Sequence, residues 1–308
     1  MQERFSNPID ISRLENQRET LACLIIDDPL LRPNHGCLNY ERLLEEMKAH
    51  NFFTEIAFIP WNYKRSKPET AHFLASNSDY YAICLHGCNH TDNEFGGNNY
   101  QELIALASTG FWRMEQHHLL TGLPYDPVIV FPQDRFSSVA IRAIKDAGYF
   151  AAFCSTLRAT DRGEPPAHEN QKPATTIYDD FPLFLRRYPW NNSIFLQDIE
   201  WHRPILIVKH HHDFRKGYKE TTDLIDWINN MGNIRWTSLM NITKHYIGDK
   251  VRNEQQCANL IQNNVVINGK VALRRFLCEV RDNYIETNSL LTRVYRIFQK
   301  RTGLFVDS

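Results

Sequence analysis

Two apolar runs in this 308-residue sequence end in side chains that commonly bind metal ions. Asp27 and Asp28 follow the first run, and His86 follows the second, with His90 four positions later. The carboxyl ends of parallel strands are where open α/β folds and (β/α) barrels place their sites. If the chain turns helically after His86, both imidazoles fall on one face. One carboxylate and the two imidazoles then form a three-ligand site for a divalent metal, and the other carboxylate can act as a base.

Each of these motifs also has a simpler interpretation. An Asp-Asp pair after an apolar run often forms only a turn or a helix cap, and histidines four apart also occur on exposed helices. Both pairs follow strand-like runs, and this combination favours the metal site. Cys84 and Cys88 interleave with the histidines and raise the alternative of a Cys/His zinc site. No second cysteine pair lies in range, so we interpret both as small buried hydrophobic side chains.

The composition is that of an ordinary globular protein, with 43% hydrophobic, 12% aromatic and 23% charged residues. The formal net charge of −1 gives no basis for nucleic-acid binding. No apolar stretch approaches the ~20 residues of a membrane span, and the first twenty residues lack the apolar core of a signal peptide. Seven cysteines without a disulfide framework predict reduced thiols and a cytoplasmic location. The oligomeric state is not predicted.

Strand-like apolar runs alternate with helical patterns along most of the chain, and this alternation predicts a parallel sheet. For this many units we expect an α/β fold, a distorted (β/α) barrel of about seven strands, within residues 1–250. Residues 251–308 change to two basic amphipathic helices, which predict a C-terminal helical appendage. The predicted strands cover residues 21–26, 55–60, 80–85, 127–132, 150–154, 195–197 and 204–208, and the predicted helices cover residues 40–50, 67–76, 99–120, 137–148 and 221–230.

The order of the motifs resembles that of the polysaccharide deacetylases, which form carbohydrate esterase family four, and of their divergent relatives. An aspartate pair after the first strand, His-x-x-x-His after a later strand, Phe131-Pro132 after another and a histidine after the 204–208 strand follow the family order. The resemblance covers roughly residues 20–245. It implies a distorted (β/α) barrel with a divalent metal, usually zinc, with cobalt, nickel, manganese and iron as the alternatives.

The resemblance also implies a role for each residue of the first two motifs. Asp27 corresponds to the general base, and Asp28, His86 and His90 correspond to the metal ligands. In the implied reaction the metal polarises an amide or ester carbonyl and lowers the pKa of its bound water. The base removes a proton from that water, and an acid then protonates the departing amine or alkoxide.

The implied general acid is a member of the histidine run at residues 210–212. Along an extended strand, alternation places His210 and His212 on one face and His211 on the other. Alignment of the strand end with the terminal histidine of the family favours His210, whereas Asp213, which directly follows His212, keeps His212 as an alternative. Imidazole suits an acid that works near neutral pH, because its unperturbed pKa is about 6.5.

The sequence departs from the family pattern at two places. Pro29 follows the aspartate pair where the family has glycine, and the Arg-x-Pro-x-Gly segment of the family is reduced to residues 130–134, which lack the arginine and the glycine. Arg135 is the candidate to supply the lost positive charge. Trp190 is suited to stack on a sugar ring, with a packed surface loop as the alternative. The predicted substrate contacts are Trp61, Glu94, Pro132, Arg135 and Trp190.

These observations predict a metal-dependent hydrolase, a deacetylase of an N-acetylated sugar or a related acylated small molecule or carbohydrate. The missing arginine motif favours one alternative, a catalytically impaired barrel that binds a carbohydrate or a metal without turnover. A hydrolase of another non-peptide C–N bond is the second alternative. The intact aspartate pair favours an enzyme, because Asp27 has no evident role in a site that only binds a metal. No G-x-S-x-G motif for a serine nucleophile is present.

Overall fold

The computed structural model describes residues 19–33 and 35–248. The predicted appendage at residues 251–308 lies outside these residues. None of the described helices combines the length and the hydropathy that crossing a membrane requires. The strands are β1 (Thr20–Asp27), β2 (Thr54–Phe58), β3 (Tyr81–His86), β4 (Asp126–Val130), β5 (Ala152–Cys154), β6 (Leu183–Leu185), β7 (Ile205–His210) and β8 (Ile234–Trp236). The helices are α1 (Tyr40–His50), α2 (Pro68–Ser76), α3 (Tyr100–Thr121), α4 (Ser138–Asp146), α5 (Ser193–Glu200), α6 (Lys219–Asn229) and α7 (Leu239–Ile247).

The strands pair in parallel in the order β6-β5-β4-β3-β2-β1-β7, and β8 pairs with the first residues of β1. Arg187, which lies just beyond β6, forms a parallel bridge with Ile207 of β7. Its N–H donates to the carbonyl oxygen of Leu206 at 2.7 Å. This bridge joins the two ends of the strand path. Seven parallel strands therefore curl into a distorted (β/α) barrel, which confirms the predicted fold class.

The alternation of side chains along the strands places the polar residues inside one end of the barrel. In β1, Leu21, Cys23 and Ile25 pack in the barrel interior, whereas residues 22, 24 and 26 pack beneath the helices. Asp27 continues the inward set because side chains alternate with a period of two residues. By the same alternation, polar residues at or just beyond other strand ends lie on the inward face. His86 lies two positions after the interior residue Cys84, Arg186 two positions after Phe184 and His210 four positions after Leu206.

The opposite end of the barrel is closed by the N-terminus of α7. The Leu239 N–H donates to Glu55 at 3.1 Å, and the Met240 N–H donates to Asp126 at 2.9 Å. Burial raises the pKa of both carboxyl groups. The free N–H groups and the dipole of a helix N-terminus favour such acidic partners. This end of the barrel is therefore plugged, and the other end remains available for a site.

Three parts of the secondary structure differ from the sequence prediction. The predicted strand at residues 195–197 is wrong, because these residues lie in α5, where Phe195 and Ile199 are buried one helical turn apart. A short apolar run does not distinguish a buried strand from a helix. The strands β6 and β8 were not predicted, because each has three residues, and α7 was not predicted either.

Candidate metal centre and active site

Three side chains that were predicted as metal ligands converge at the open end of the barrel. Asp28 Oδ1 lies 3.4 Å from His86 Nε2 and 3.2 Å from His90 Nε2. One ligand atom from each of the three residues lies within 4.8 Å of the others. Ligands of a tetrahedral zinc ion, with bonds of 2.0–2.1 Å, lie about 3.3 Å apart. The carboxylate oxygen and the two imidazole nitrogens therefore fit a divalent transition metal.

The backbone reaches this arrangement without a helix between the two histidines. Gly87 has φ +62° and His90 has φ +54°, so the chain makes a tight turn and not a helical one. The helical turn considered from the sequence is therefore wrong, although the two imidazoles meet as expected. His86 Nδ1 donates to the carbonyl oxygen of Val130 at 3.1 Å. Because the proton is then on Nδ1, the lone pair of Nε2 faces the metal position.

The predicted base is held by a buried arginine. Asp27 is 1% exposed, and Arg186 Nη1 donates to both of its carboxylate oxygens at 2.8 and 2.7 Å. Arg186 Nη2 donates to Asp134 at 3.0 Å. Burial alone lowers the pKa of Arg186, but the two carboxylates raise it above its ordinary value. Burial raises the pKa of Asp134, and the guanidinium outweighs this effect and holds it below its usual value. Asp27 therefore faces a permanent positive charge.

Arg186 is an arginine that contacts Asp27, although the Arg-x-Pro-x-Gly segment of the family lacks its arginine in this chain. Arg135, the sequence candidate, is a partly exposed side chain at the mouth of the pocket, 3.5 Å from Asp92. It does not contact Asp27, so the prediction that it replaces the lost charge is wrong. Arg186 was missed because it follows β6, a strand too short to recognise. The available signal was an arginine directly after the apolar residues 183–185.

All three histidines of residues 210–212 line the same pocket. The strand ends at His210, which is the Cα partner of Asp27, and the chain then enters a 3-10 turn. The expected alternation is therefore wrong, since His211 does not point away from His210 and His212. His211 is 2% exposed, and burial lowers its pKa to about 4. Sequence reasoning missed His211 because it extended the strand too far.

The pocket has a volume of about 360 Å³, and every side chain that lines it is polar or charged. Four aspartates, five histidines, two arginines, a glutamine and a tyrosine form its wall. Such a wall binds a polar ligand with many hydrogen-bonding groups. The lining residues are Asp27, Asp28, His86, His90, Asp92, Gln133, Asp134, Arg135, Arg186, Tyr188, His210, His211 and His212.

Three of the predicted substrate contacts lie behind the metal ligands and not in the pocket. The Trp61 N–H donates to the carbonyl oxygen of Cys88 at 2.9 Å. Glu94 accepts hydrogen bonds from the backbone of residues 88–90. Pro132 is buried next to Gly87. The prediction that Trp61, Glu94 and Pro132 touch the substrate is therefore not supported by their positions, because each packs against the turn that carries His90.

The other two predicted contacts lie at the open side of the pocket. Arg135 lines the pocket directly. Trp190 is 87% exposed and stacks on Tyr188, with ring centroids 5.0 Å apart and planes at 9°. The ring of Tyr188 is in turn nearly parallel to that of His210, with ring centroids 6.2 Å apart. The exposed indole is thus joined to the pocket wall through one aromatic ring.

The structure is similar to solved structures that are assigned to the polysaccharide deacetylases or to the CE4 family. A protein assigned as a polysaccharide deacetylase from Mycobacterium smegmatis is 13% identical, with a TM-score of 0.53 over 77% of this chain and 93% of that chain. The Xyl-CE4 domain of a multidomain xylanase from the hindgut metagenome of Trinervitermes trinervoides is 12% identical, with a TM-score of 0.46 over 77% and 96%. A CE4 family pseudoenzyme from Bacillus anthracis is 10% identical, with a TM-score of 0.40 over 70% and 67%.

No family model and no curated protein matches the sequence significantly. Of the three structures described, the first has a TM-score above 0.5, and the argument for the fold rests on it. At 13% identity this similarity establishes the fold alone. The chain therefore has the polysaccharide deacetylase fold that the sequence resemblance implied. Its activity is inferred from the geometry of the site.

Proposed function

We propose that this chain is a divergent polysaccharide deacetylase, a metal-dependent hydrolase that removes an acetyl group from an N-acetylated sugar or a related acylated molecule. One observation carries the proposal. Asp28 Oδ1 lies 3.4 and 3.2 Å from the Nε2 atoms of His86 and His90, and the neighbouring Asp27 is a second carboxylate that a buried arginine holds in place. A binding site needs only the first three groups, whereas hydrolysis also needs the fourth.

Asp28, His86 and His90 are the proposed ligands of one divalent ion. Zinc is the proposed metal, because one carboxylate and two imidazoles leave a position open for water and substrate. Cobalt, nickel, manganese and iron accept the same ligand set. When bound, such an ion supplies Lewis-acid polarisation of the acyl carbonyl and a lowered pKa of the attacking water.

The proposed roles of the remaining residues follow from their contacts. Asp27 takes a proton from the attacking water, and Arg186 fixes its orientation by donating to both carboxylate oxygens. A histidine on the facing strand gives a proton to the departing nitrogen, so that the C–N bond breaks to yield a free amine and a carboxylate. His210 is the first candidate for this acid because it is the Cα partner of Asp27. His212 and His211 are the alternatives.

The polar pocket supports a small-molecule or carbohydrate substrate. Arg135 at the mouth and the exposed indole of Trp190 are its proposed contacts outside the metal centre. The apolar C–H face of a sugar ring packs well on an exposed aromatic face. The described cysteines, Cys23, Cys37, Cys84, Cys88 and Cys154, are all free thiols, which supports the cytoplasmic location expected from the sequence.

A catalytically impaired barrel is the first alternative to this proposal. It relied on the missing arginine motif, and Arg186 supplies a guanidinium that contacts both oxygens of Asp27. Hydrolysis of another non-peptide C–N bond uses the same groups, and product analysis separates it from deacetylation.

The proposal is tested with the zinc-loaded protein and a panel of N-acetylated sugars and other acylated amines. We expect release of acetate, and we expect Asp27→Asn to keep its metal while kcat falls about 10²-fold or more, the scale of general-base catalysis. Release of ammonia or another product without acetate would support hydrolysis of another non-peptide C–N bond. Near-normal turnover in Asp27→Asn would remove Asp27 as the base.

A further inference from the structure

The turn that carries His90 is held by a single carboxylate. Three successive backbone N–H groups, those of Cys88, Asn89 and His90, donate to Glu94 at 3.0, 2.6 and 3.2 Å. These N–H groups are not used by a helix, because the backbone leaves helical geometry at Gly87 and again at His90. The carboxylate therefore supplies the hydrogen bonds that secondary structure would otherwise provide.

The residue type at position 87 is matched to this carboxylate. A Cβ atom on Gly87 would lie 2.4 Å from Glu94 Oε2 and 2.4 Å from Cγ of Pro132. The φ of +62° at Gly87 also disfavours any residue with a side chain. Glu94 and Gly87 thus form a matched pair, in which the carboxylate occupies the space that a side chain would fill.

A second buried side chain holds the same turn from its carbonyl side. Arg113 of α3 is 3% exposed and donates to the carbonyl oxygen of Cys88 at 3.1 Å and to the side-chain oxygen of Asn89 at 2.8 Å. Its guanidinium lies 5.0 Å from the ring centroid of Trp61. Burial raises the pKa of Glu94, while the three N–H groups and Arg113 lower it in part. The N–H groups of this turn are therefore bound by Glu94, and two of its oxygen atoms are bound by Arg113.

We propose that Glu94 is a positioning residue for the metal site, which holds His90 in its ligating orientation before a metal binds. The inference rests on the metal site of the proposed function and adds a residue that touches neither metal nor substrate. His86 is fixed by its strand and by Val130. His90 lies four residues beyond the strand on a non-helical turn, so its position depends on the groups that hold the turn. Loss of such supporting contacts typically costs 10–100-fold in metal affinity.

The test compares Co²⁺ binding by the metal-free full-length protein and three variants, through competition with a chromophoric chelator and the visible spectrum of the bound ion. We expect Glu94→Ala to weaken Co²⁺ binding about 10–100-fold and to change the spectrum. Glu94→Gln keeps the size and one acceptor oxygen, and we expect an intermediate loss. Glu102→Gln, an exposed carboxylate nearby on α3, is the matched control and should bind Co²⁺ as the wild type does.

Glu94→Gln decides the question if Glu94→Ala does not fold. Wild-type affinity and spectrum in Glu94→Gln, or in a folded Glu94→Ala, would overturn the positioning role and leave the proposed function intact. An incorrect assignment of the metal ligands gives a different result, because Co²⁺ binding would then be unchanged in the His86→Ala, His90→Ala double variant. Weakened binding in Glu94→Gln with a normal melting temperature of the metal-free protein supports positioning over a general loss of stability.

Discussion

At the scale of single residues, the site depends on how a buried carboxylate is compensated. Asp27 is almost fully buried, and a buried charge is tolerated only when it is paired and hydrogen-bonded. Arg186 provides this pairing from β6, whereas the family pattern places its arginine in the segment after β4. In this chain the guanidinium that contacts both oxygens of Asp27 therefore comes from another position.

The first prediction concerns Arg186→Lys. Lysine keeps the positive charge but loses the planar donor geometry that contacts Asp27 and Asp134 together. We expect a folded protein with normal metal content and a kcat/KM reduced by about 10–100-fold, because a small misplacement of the base is costly. Steady-state kinetics and metal analysis check this together. Arg142→Lys, at an exposed arginine of α4 outside the pocket, is the matched control. Turnover at wild-type level in Arg186→Lys would show that the orientation of Asp27 is not limiting.

The second prediction concerns which of the histidines at residues 210–212 is the general acid. The general acid must be protonated to work, so its loss should abolish the alkaline limb of the pH profile of kcat. We expect this result for His210→Ala, whereas His212→Ala should keep the limb and alter mainly KM. His211→Ala should also keep the limb. Loss of the limb in His212→Ala or His211→Ala would assign the acid to that residue, and a limb retained in all three variants would exclude the run.

At the scale of elements, α3 connects the turn that carries His90 with the loop after β2. Arg113 contacts the turn, and one helical turn further along the same helix, the fully buried His117 lies 2.8 Å from Ser66 Oγ and stacks near Phe58. Burial lowers the pKa of His117 to about 4, and the neighbouring His118 adds to this shift. The helix therefore carries a neutral imidazole into its packed face.

The third prediction is the pH dependence of stability that follows from His117. Its pKa is about 6.5 in the unfolded chain and about 4 in the folded protein, so between these values the unfolded chain binds a proton that the folded protein does not. The free energy of unfolding should therefore fall as the pH is lowered from 6.5 to 4. In His117→Gln this fall should be smaller by up to about 3 kcal/mol. Urea unfolding at several pH values measures it, and parallel curves for both proteins would contradict it.

The elements also show what could be predicted from the sequence. The apolar runs before Asp27 and His86 indicate the strands β1 and β3, so the fold class and the meeting of Asp28 with His86 and His90 were predictable. The role of Arg186 was not, because it follows a three-residue strand. The contact of Glu94 with the turn was not predictable either, since it depends on positive φ angles at Gly87 and His90 that no periodic pattern reports.

At the scale of the whole molecule, the barrel brings groups from distant parts of the chain to one end. Asp28 directly follows β1, and His86 and His90 come about sixty residues later, at and beyond the end of β3. Arg186 and His210 follow from β6 and β7. The opposite end is filled by α7. A metal that joins Asp28 to His86 and His90 therefore links β1 to the turn after β3, and its binding energy adds to the stability of the fold.

The most direct test of the metal site is the metal content of the purified protein, measured by atomic spectrometry after equilibration with Zn²⁺ and removal of free ion. We expect one ion per chain in the wild type, because three ligand atoms converge on one position. The His86→Ala, His90→Ala double variant should lose most of its metal, while Asp27→Asn should keep it. Stoichiometric zinc in the double variant would contradict the assignment of these residues as ligands.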